Sequence, residues 1–177
     1  SLIAITAYGY PQKTAYYQYS SLDFSDLLLM TCNKYGYWKL SDDYTLVGNT
    51  NTIGNGSITV KHKGLSVSIP IVIYGQINKG SLRIITKQYV YNGKARKPSV
   101  SVKDRDGNIL SPSSDYTVQY KNNVNAGVAT IIVKGKGFYK GEIKGTFKIT
   151  PCPLKSKEVK LKKTSFVFDG KAKKPDD

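Results

Sequence analysis

The segment that decides the fold occurs twice in this chain, as YVYNGKARKP at residues 89–98 and as FVFDGKAKKP at residues 166–175. Six of the ten positions are identical, and the other four exchange residues of the same kind, such as Tyr89 for Phe166. A repeat with a period of 77 residues is too long for a helical solenoid or a propeller blade. It predicts a small domain that is repeated along the chain.

An earlier copy of the same unit lies in the first half of the chain. The segment DYTLVG at 43–48 matches DYTVQY at 115–120, and VKHKG at 60–64 matches VKGKG at 133–137. These pairs are offset by 72 and 73 residues, so the two copies differ in length by one loop residue. A length of 177 residues therefore suits two small domains and the start of another.

The segments YGQINKG and TPCPLK have the composition of linkers and set the domain boundaries. We predict one domain over residues 1–76, a second over 80–150, and the start of a further, incomplete repeat over 154–177. Because the sequence has neither an initiating methionine nor a secretion signal, we expect it to be a piece of a longer protein.

Apolar and polar residues alternate with a period of two, which is typical of strands with one buried face. Val100 and Val102 alternate with polar neighbours, and so do Tyr116 and Tyr120. Turn residues such as DRDGN at 104–108 separate the alternating segments. The pattern predicts an all-β chain of short antiparallel strands that close into sandwiches.

These segments resemble a known family. YNGKARKPSVSVKDRDGNIL at 91–110 and DYTVQYKNNVNAGVATIIVKGKGFYKGEIKGTFKI at 115–149 resemble the tandem immunoglobulin-like repeats of Gram-positive surface and secreted proteins. LDFSDL at 22–27, LSDDYTLVG at 40–48 and GNGSITVKHKGLSVSIPIVI at 54–73 are similar to a second bacterial immunoglobulin-like group. The resemblance implies tandem immunoglobulin-like antiparallel β-sandwiches that are extracellular, either secreted or attached to the cell wall or surface, and that are not enzymes.

The residue types that carry catalysis or bind metals are sparse. Two cysteines do not make a disulfide framework, no paired Cys-x-x-Cys spacing occurs, and we expect both thiols to be free. The single histidine, His62, lies between two lysines and is predicted to be a solvated turn residue. We therefore expect no catalytic site, no metal site and no cofactor.

The charge is strongly basic, with 27 lysines and arginines against 12 acidic residues. One interpretation is attraction to polyanions such as nucleic acid or the phosphate-rich polymers of a cell wall. The other is that lysines such as Lys103, Lys121 and Lys134 fill outward strand positions and keep sheet edges from pairing. With only three arginines, we expect no nucleic-acid partner, and no apolar run is long enough for membrane insertion.

Aromatic residues gather at one predicted hairpin. YGYWK at 35–39 places Tyr35, Tyr37 and Trp38 in and after a turn, where rings can stack on sugars or on a protein partner. The alternative for Trp38 is a place in the core of a small sandwich. Phe138 and Tyr139 form a weaker candidate in a glycine-lined hairpin.

The strand LLLMTC at 27–32 is apolar on both faces. The resemblance places Leu27, Leu29 and Thr31 in the core, so the other three residues must point outward. We predict that these three are buried by residues outside their own sheet, because exposed apolar patches tend to be covered. The cover is either the local segment 11–20 or a neighbouring domain, a second copy or a partner. The outward residues are Leu28, Met30 and Cys32.

The sequence as a whole indicates a non-catalytic segment of a bacterial cell-surface protein that acts as a spacer or display module and contributes to cell adhesion. The alternative is a carbohydrate-binding accessory module attached to an exported enzyme. The expected partners are neighbouring immunoglobulin-like domains of the same chain, and host or wall glycans or a surface protein.

Overall fold

The computed structural model describes residues 1–9, 11, 13–154, 167 and 170–171. The predicted further repeat at 154–177 therefore lies outside the described residues, except for four isolated positions. The chain is all-β, as predicted, and the described residues contain no helix other than a single 3-10 turn at Ile77–Lys79.

The N-terminal half is built from two sheets of short strands. Its strands are β1 (Leu2–Gly9), β2 (Ala15–Tyr17), β3 (Leu28–Asn33), β4 (Trp38–Ser41), β5 (Thr45–Val47), β6 (Gly54–His62) and β7 (Leu65–Gln76).

One sheet has the order β1-β3-β4, and the other joins β5, β6 and β7, with β2 parallel to β7. Alternation along the strands directs one side chain in two toward the space between the sheets. Leu29 from the first sheet and Ile58, Val60 and Ile69 from the second are completely buried there. The two sheets therefore form a sandwich around one hydrophobic core.

The C-terminal half follows directly. Its strands are β8 (Ser81–Ile84), β9 (Gln88–Val90), β10 (Val100–Lys103), β11 (Tyr116–Lys121), β12 (Gly127–Gly135), β13 (Tyr139–Lys140) and β14 (Glu142–Thr150).

Its larger sheet has the order β11-β12-β14-β9, and β8 pairs with β10 across a second core. Val102, Ile131 and Val133 are completely buried in this core. Tyr89 meets Phe147 edge to face at 5.8 Å between ring centroids, so the residue that opens the repeated segment anchors it in the sandwich.

The two halves share one strand arrangement. β1 pairs with β3 as β8 pairs with β10, and the order β5-β6-β7-β2 corresponds to β11-β12-β14-β9. The register corresponds as well, because Thr45 lies opposite Lys61 and Thr117 lies opposite Lys134. These positions are related by the offsets of the sequence repeat, and each half is a β-sandwich with the same strand arrangement.

His62 departs from its sequence interpretation. The prediction of a solvated turn residue is wrong, since His62 is only 6% exposed. It ends β6 on the same face as Ile58 and Val60, so strand alternation turns it inward. Its Nδ1 makes a hydrogen bond with the backbone carbonyl oxygen of Asp43 and lies 3.7 Å from the Asp43 carboxylate. The ring therefore ties the end of β6 to the segment before β5.

Candidate functional site

The outward side of the sheet β1-β3-β4 is the first candidate surface. As predicted, Leu27, Leu29 and Thr31 are buried on the core side. Met30 and Cys32 point the other way, and in register with them on β4 lie Leu40 and Trp38. We call this surface the outer face, and it consists of Leu28, Met30, Cys32, Trp38 and Leu40.

Exposure varies across the outer face. Leu28 is 45% exposed and Leu40 58%, whereas Met30 is half-buried and Cys32 is buried. The first alternative, local cover by residues 11–20, is wrong for the strand in that segment, because β2 pairs with β7 in the opposite sheet and Tyr16 is buried in the core. Within the described chain, the apolar side of Leu28 is therefore left in water.

The hairpin between β3 and β4 is held in one conformation by Asn33. The Asn33 side-chain oxygen accepts hydrogen bonds from the backbone N–H groups of Tyr35 at 2.9 Å and Tyr37 at 3.2 Å. The Asn33 carbonyl accepts a third from Gly36, whose φ of +82° is a conformation that glycine adopts without strain. The turn that carries the aromatic rings is thus well ordered.

The rings of this hairpin are presented to solvent. Tyr35 and Tyr37 are 72% and 73% exposed, and Trp38 is 48% exposed. Trp38 is therefore not a core residue, because β4 is the edge strand of its sheet. The Lys34 ammonium lies 4.9 Å from the Tyr35 ring centroid, a cation–π contact that adds a charge to the aromatic surface.

The weaker candidate pair separates. Phe138 is 42% exposed, whereas Tyr139 is half-buried and packs against the C-terminal core. The β13 strand that begins at Tyr139 pairs with the end of β7, so this pair lies at the boundary between the two halves.

The junction between the halves is a second candidate site. β7 leads into the 3-10 turn, and only Gly80 separates that turn from β8. Ile77 is completely buried in the C-terminal core. A methyl group at Gly80 would lie 2.0 Å from the Lys103 carbonyl oxygen, so the backbones approach as closely as glycine allows. The connection is therefore short and packed.

Backbone pairing also crosses the junction. The Gly75 N–H donates to the Phe138 carbonyl at 2.9 Å, and Tyr139 lies beside Gly75 in a short parallel ladder. A Cβ at Gly75 would come within 2.7 Å of both the Tyr139 ring and Ile53. Gly75 is thus enclosed between one side chain from each half.

Asp106 completes the junction from the C-terminal half. Its carboxylate accepts hydrogen bonds from the Gln18 amide at 2.7 Å and the Tyr19 hydroxyl at 2.9 Å. The hydrogen bond between the Tyr19 hydroxyl and Asp106 is the main cause of the raised pKa of Tyr19. The Arg105 guanidinium lies 4.9 Å from the Tyr19 ring centroid. Gln18 also donates to the Asn51 carbonyl at 2.9 Å, which fixes its amide in place.

Asp104 orders the loop that carries Asp106. It is buried, and its carboxylate accepts from the backbone N–H groups of Asp106 and Asn108 and from the Tyr139 hydroxyl at 3.2 Å. Burial raises the pKa of Asp104, but a hydrogen bond from the Asn108 side-chain amide at 3.0 Å, together with these three, outweighs it and leaves the pKa lowered. Burial, with the nearby Asp104 charge, raises the pKa of Tyr139 to about 12.

The sequence interpretation did not foresee the junction. The sequence indicates only a turn at DRDGN. In the structure, Asp104 accepts hydrogen bonds within the loop, whereas Asp106 accepts them from residues of the other half. The signal that could have found them is the alternation of Asp104, Asp106 and Asn108, a spacing that goes beyond the needs of a simple turn.

Other chemical features are limited. Cys32 is buried and free, and Cys152 is exposed and free. The described residues contain no group of three or more histidines, cysteines and acidic residues placed to hold a metal ion. Within the same residues, no helix has the length and apolar character needed to cross a bilayer.

No protein-family model matches the chain, and no curated protein matches it. Among solved structures, the chain is similar to the S-layer protein rSbsC, with 14% identity and a TM-score of 0.30 over 87% of this chain and 28% of that chain. It is also similar to Dpr2 Ig1-Ig2 in complex with DIP-Theta Ig1-Ig3, with 8% identity and a TM-score of 0.33 over 84% of this chain and 64% of that chain. The chain spans less than two thirds of either protein's length.

Proposed function

We propose that this chain is a non-catalytic immunoglobulin-like segment of a bacterial cell-surface protein, secreted or attached to the cell wall, and that it acts as a spacer that displays neighbouring domains. In this proposal residues 1–76 and 80–150 are separate domains, and 154–177 begin a further one. The observation that carries the proposal is the packed junction between the two halves.

A spacer must keep its two ends at a fixed separation, and domains joined by a plain linker move relative to each other by default. Three independent contacts oppose that movement here. They are the ladder between Tyr139 and Gly75, the hydrogen bonds of Asp106 with Gln18 and Tyr19, and the insertion of Ile77 into the C-terminal core.

Limited proteolysis with trypsin tests the proposal. Lys79 is exposed but lies in the packed connection, so cleavage after Lys79 requires the junction to open. We expect slow cleavage there compared with Lys94, an exposed lysine in an irregular loop. A control variant with four glycine and serine residues inserted after Gly80 should be cut readily at the junction. Equal cleavage of the native chain and this variant would contradict a rigid spacer.

A second function, binding of a glycan or a surface protein by the aromatic hairpin, is favoured by the three exposed rings on an ordered turn. Rigid aromatic side chains supply contact area at little entropic cost. The same surface would serve a carbohydrate-binding accessory module attached to an exported enzyme, which remains the alternative to a spacer with an adhesive surface.

Retention on insoluble cellulose, chitin and isolated peptidoglycan tests this second function. Replacing Tyr37 and Trp38 with alanine should abolish any retention of the native chain. Tyr8→Ala is the matched control, because Tyr8 is 68% exposed but lies outside the hairpin. Retention that survives the double substitution, or that falls equally in the control, would contradict binding through these rings.

A further inference from the structure

The positive charge of the chain is concentrated in its C-terminal half. Residues 1–76 contain five lysines and four aspartates, so they are almost neutral. Residues 77–154 contain fourteen basic and four acidic residues. Most of the formal charge of +15 therefore belongs to the residues of this sandwich, and it requires an explanation there.

Four of these lysines lie on one sheet surface. Along β11, β12 and β14, buried residues such as Ile131 and Val133 face the core, and the alternate residues face outward; most of these are exposed, but Ile132 is buried. Threonines lie among the lysines, since Thr117 is opposite Lys134 and Thr130 is opposite Lys121. We call this surface the cationic face, and it consists of Lys121, Lys134, Lys144 and Lys148.

Protection of sheet edges does not account for the cationic face. In the order β11-β12-β14-β9, only Lys121 lies on an edge strand. Lys134 on β12 and Lys148 on β14 lie where their strands are paired on both sides, whereas β9 pairs only with residues 148–150 of β14 and does not reach Lys144. A stretch that is paired on both sides has no free edge to protect, so Lys134 and Lys148 serve another purpose.

Three of the four lysines, Lys121, Lys134 and Lys144, are close enough to act on a common charge. The single carboxylate in their midst, Glu142, makes an ion pair with Lys144 at 2.8 Å. The pKa of Glu142 is lowered mainly by its hydrogen bond with Lys144, and further by the charges of Lys134 and Lys121. The positive potential of the face therefore extends across three strands and is only partly neutralised.

We propose that the cationic face binds a flexible, linear polyanion whose charges are backbone phosphates and which carries no bases. Lys144, Lys121 and Lys148 lie opposite Ile132, Thr130 and Val128 of β12. Together with Lys134, the four lysines therefore follow one another at steps of two residues, about 6.7 Å, along the sheet and form a row that a flexible chain can follow. Lysine is a mobile point-charge ligand for phosphate, and the threonine hydroxyls supply further donors.

The composition of the face favours this partner over nucleic acid. Single-stranded nucleic acids are held by aromatic rings on which the bases stack, and arginine forks read base edges. The outward residues of β11, β12 and β14 include neither an aromatic ring nor an arginine. This binding function is separate from the spacer proposed above and does not depend on the rigidity of the junction.

Titration of the native chain with linear polyphosphate, followed at several salt concentrations, tests the proposal. The test variant carries glutamine at all four lysines of the cationic face. The matched control carries glutamine at four exposed lysines elsewhere, so that the net charge of the two variants is equal. The control positions are Lys61, Lys94, Lys97 and Lys103.

We expect the test variant to lose about tenfold or more in affinity, and the slope of log affinity against log salt to fall by about 3, because roughly 0.7 counterion is released per neutralised phosphate on a flexible strand. The control should keep most of the native affinity. Glu142→Gln should bind about two to three times more tightly, since it releases Lys144 and leaves every lysine in place.

Equal losses in the test and control variants would overturn the proposal, because net charge alone would then explain binding. An absence of binding by the native chain would overturn it as well. Tighter binding of single-stranded DNA would assign the face to nucleic acid, and equal binding of poly-glutamate would remove the preference for phosphate. If the test variant does not fold, the Glu142→Gln comparison decides, and an unchanged or weaker affinity there refutes the proposal.

Discussion

Replacing Asp106 with alanine should loosen the junction without unfolding either sandwich. Asp106 lies in an exposed loop, and its carboxylate accepts hydrogen bonds from Gln18 at 2.7 Å and Tyr19 at 2.9 Å in the other half. The substitution removes both contacts and leaves the two hydrophobic cores intact. The loop itself stays ordered, because Asp104 still accepts the backbone N–H groups of Asp106 and Asn108.

The size of the effect follows from the type of bond. A hydrogen bond to a charged group contributes about 1.5–3 kcal/mol where it is shielded from water. Both bonds here are exposed, so we expect about 1–2 kcal/mol for the pair, nearer the range of surface interactions. That free energy corresponds to roughly a 5- to 30-fold increase in the population of molecules with an open junction.

Amide hydrogen exchange at Gly75 measures this opening directly, because its N–H donates across the junction to the Phe138 carbonyl at 2.9 Å. The exchange rate should rise about 5- to 30-fold in Asp106→Ala. The Val72 amide, which bonds to Thr14 within the N-terminal half, should not change. Asp23→Ala is the charge-matched control, since the Asp23 carboxylate accepts hydrogen bonds only from the nearby Ser25 in the described contacts. An unchanged rate at Gly75, or an equal rise at Val72, would refute the reasoning.

Three further predictions concern single sites. The raised pKa of Tyr139 means that its contribution to stability is present below about pH 10, its unfolded value, and is lost as the pH rises toward about 12. Chemical denaturation over this range should show a larger loss of stability in the native chain than in Tyr139→Phe, which keeps the other tyrosines with raised pKa values. Replacing both Leu28 and Met30 by threonine should change the free energy of unfolding by less than about 1 kcal/mol, because Leu28 is exposed and threonine is favourable in a strand. The same double substitution should weaken any self-association seen by ultracentrifugation. Unfolding of the N-terminal half would show that these side chains belong to the core. His62→Ala should destabilise the N-terminal half by about 2–3 kcal/mol through a lost buried ring and hydrogen bond, and an unchanged denaturation midpoint would contradict its structural role.

Much of the fold could be predicted because its signals are local. The alternation of Val100 and Val102 with polar residues is enough to predict a strand. The repeated DYT and VK segments predict that the pairing of Thr45 with Lys61 recurs in the second half. The outward position of Leu28 follows from the family resemblance, because the strand LLLMTC is apolar on both faces. These features require no knowledge of which strands become neighbours.

The features that were missed depend on distant contacts. Gln18 and Asp106 are 88 positions apart, and nothing in either local segment indicates the other. Trp38 could not be assigned to core or surface, because its exposure depends on β4 being the edge of a three-stranded sheet. His62 was misplaced because its flanking lysines were given more weight than its position in the alternation of β6.

The distance distribution between one spin label in each half tests the central claim most directly. Ser66→Cys and Gln119→Cys provide exposed sites on β7 and β11, with Cys32 and Cys152 replaced by alanine so that no other thiol is labelled. A rigid spacer predicts a single narrow distribution in the native background that broadens when four glycine and serine residues are inserted at the connection. A distribution that is already as broad in the native background would show that the halves move independently, and it would contradict the account.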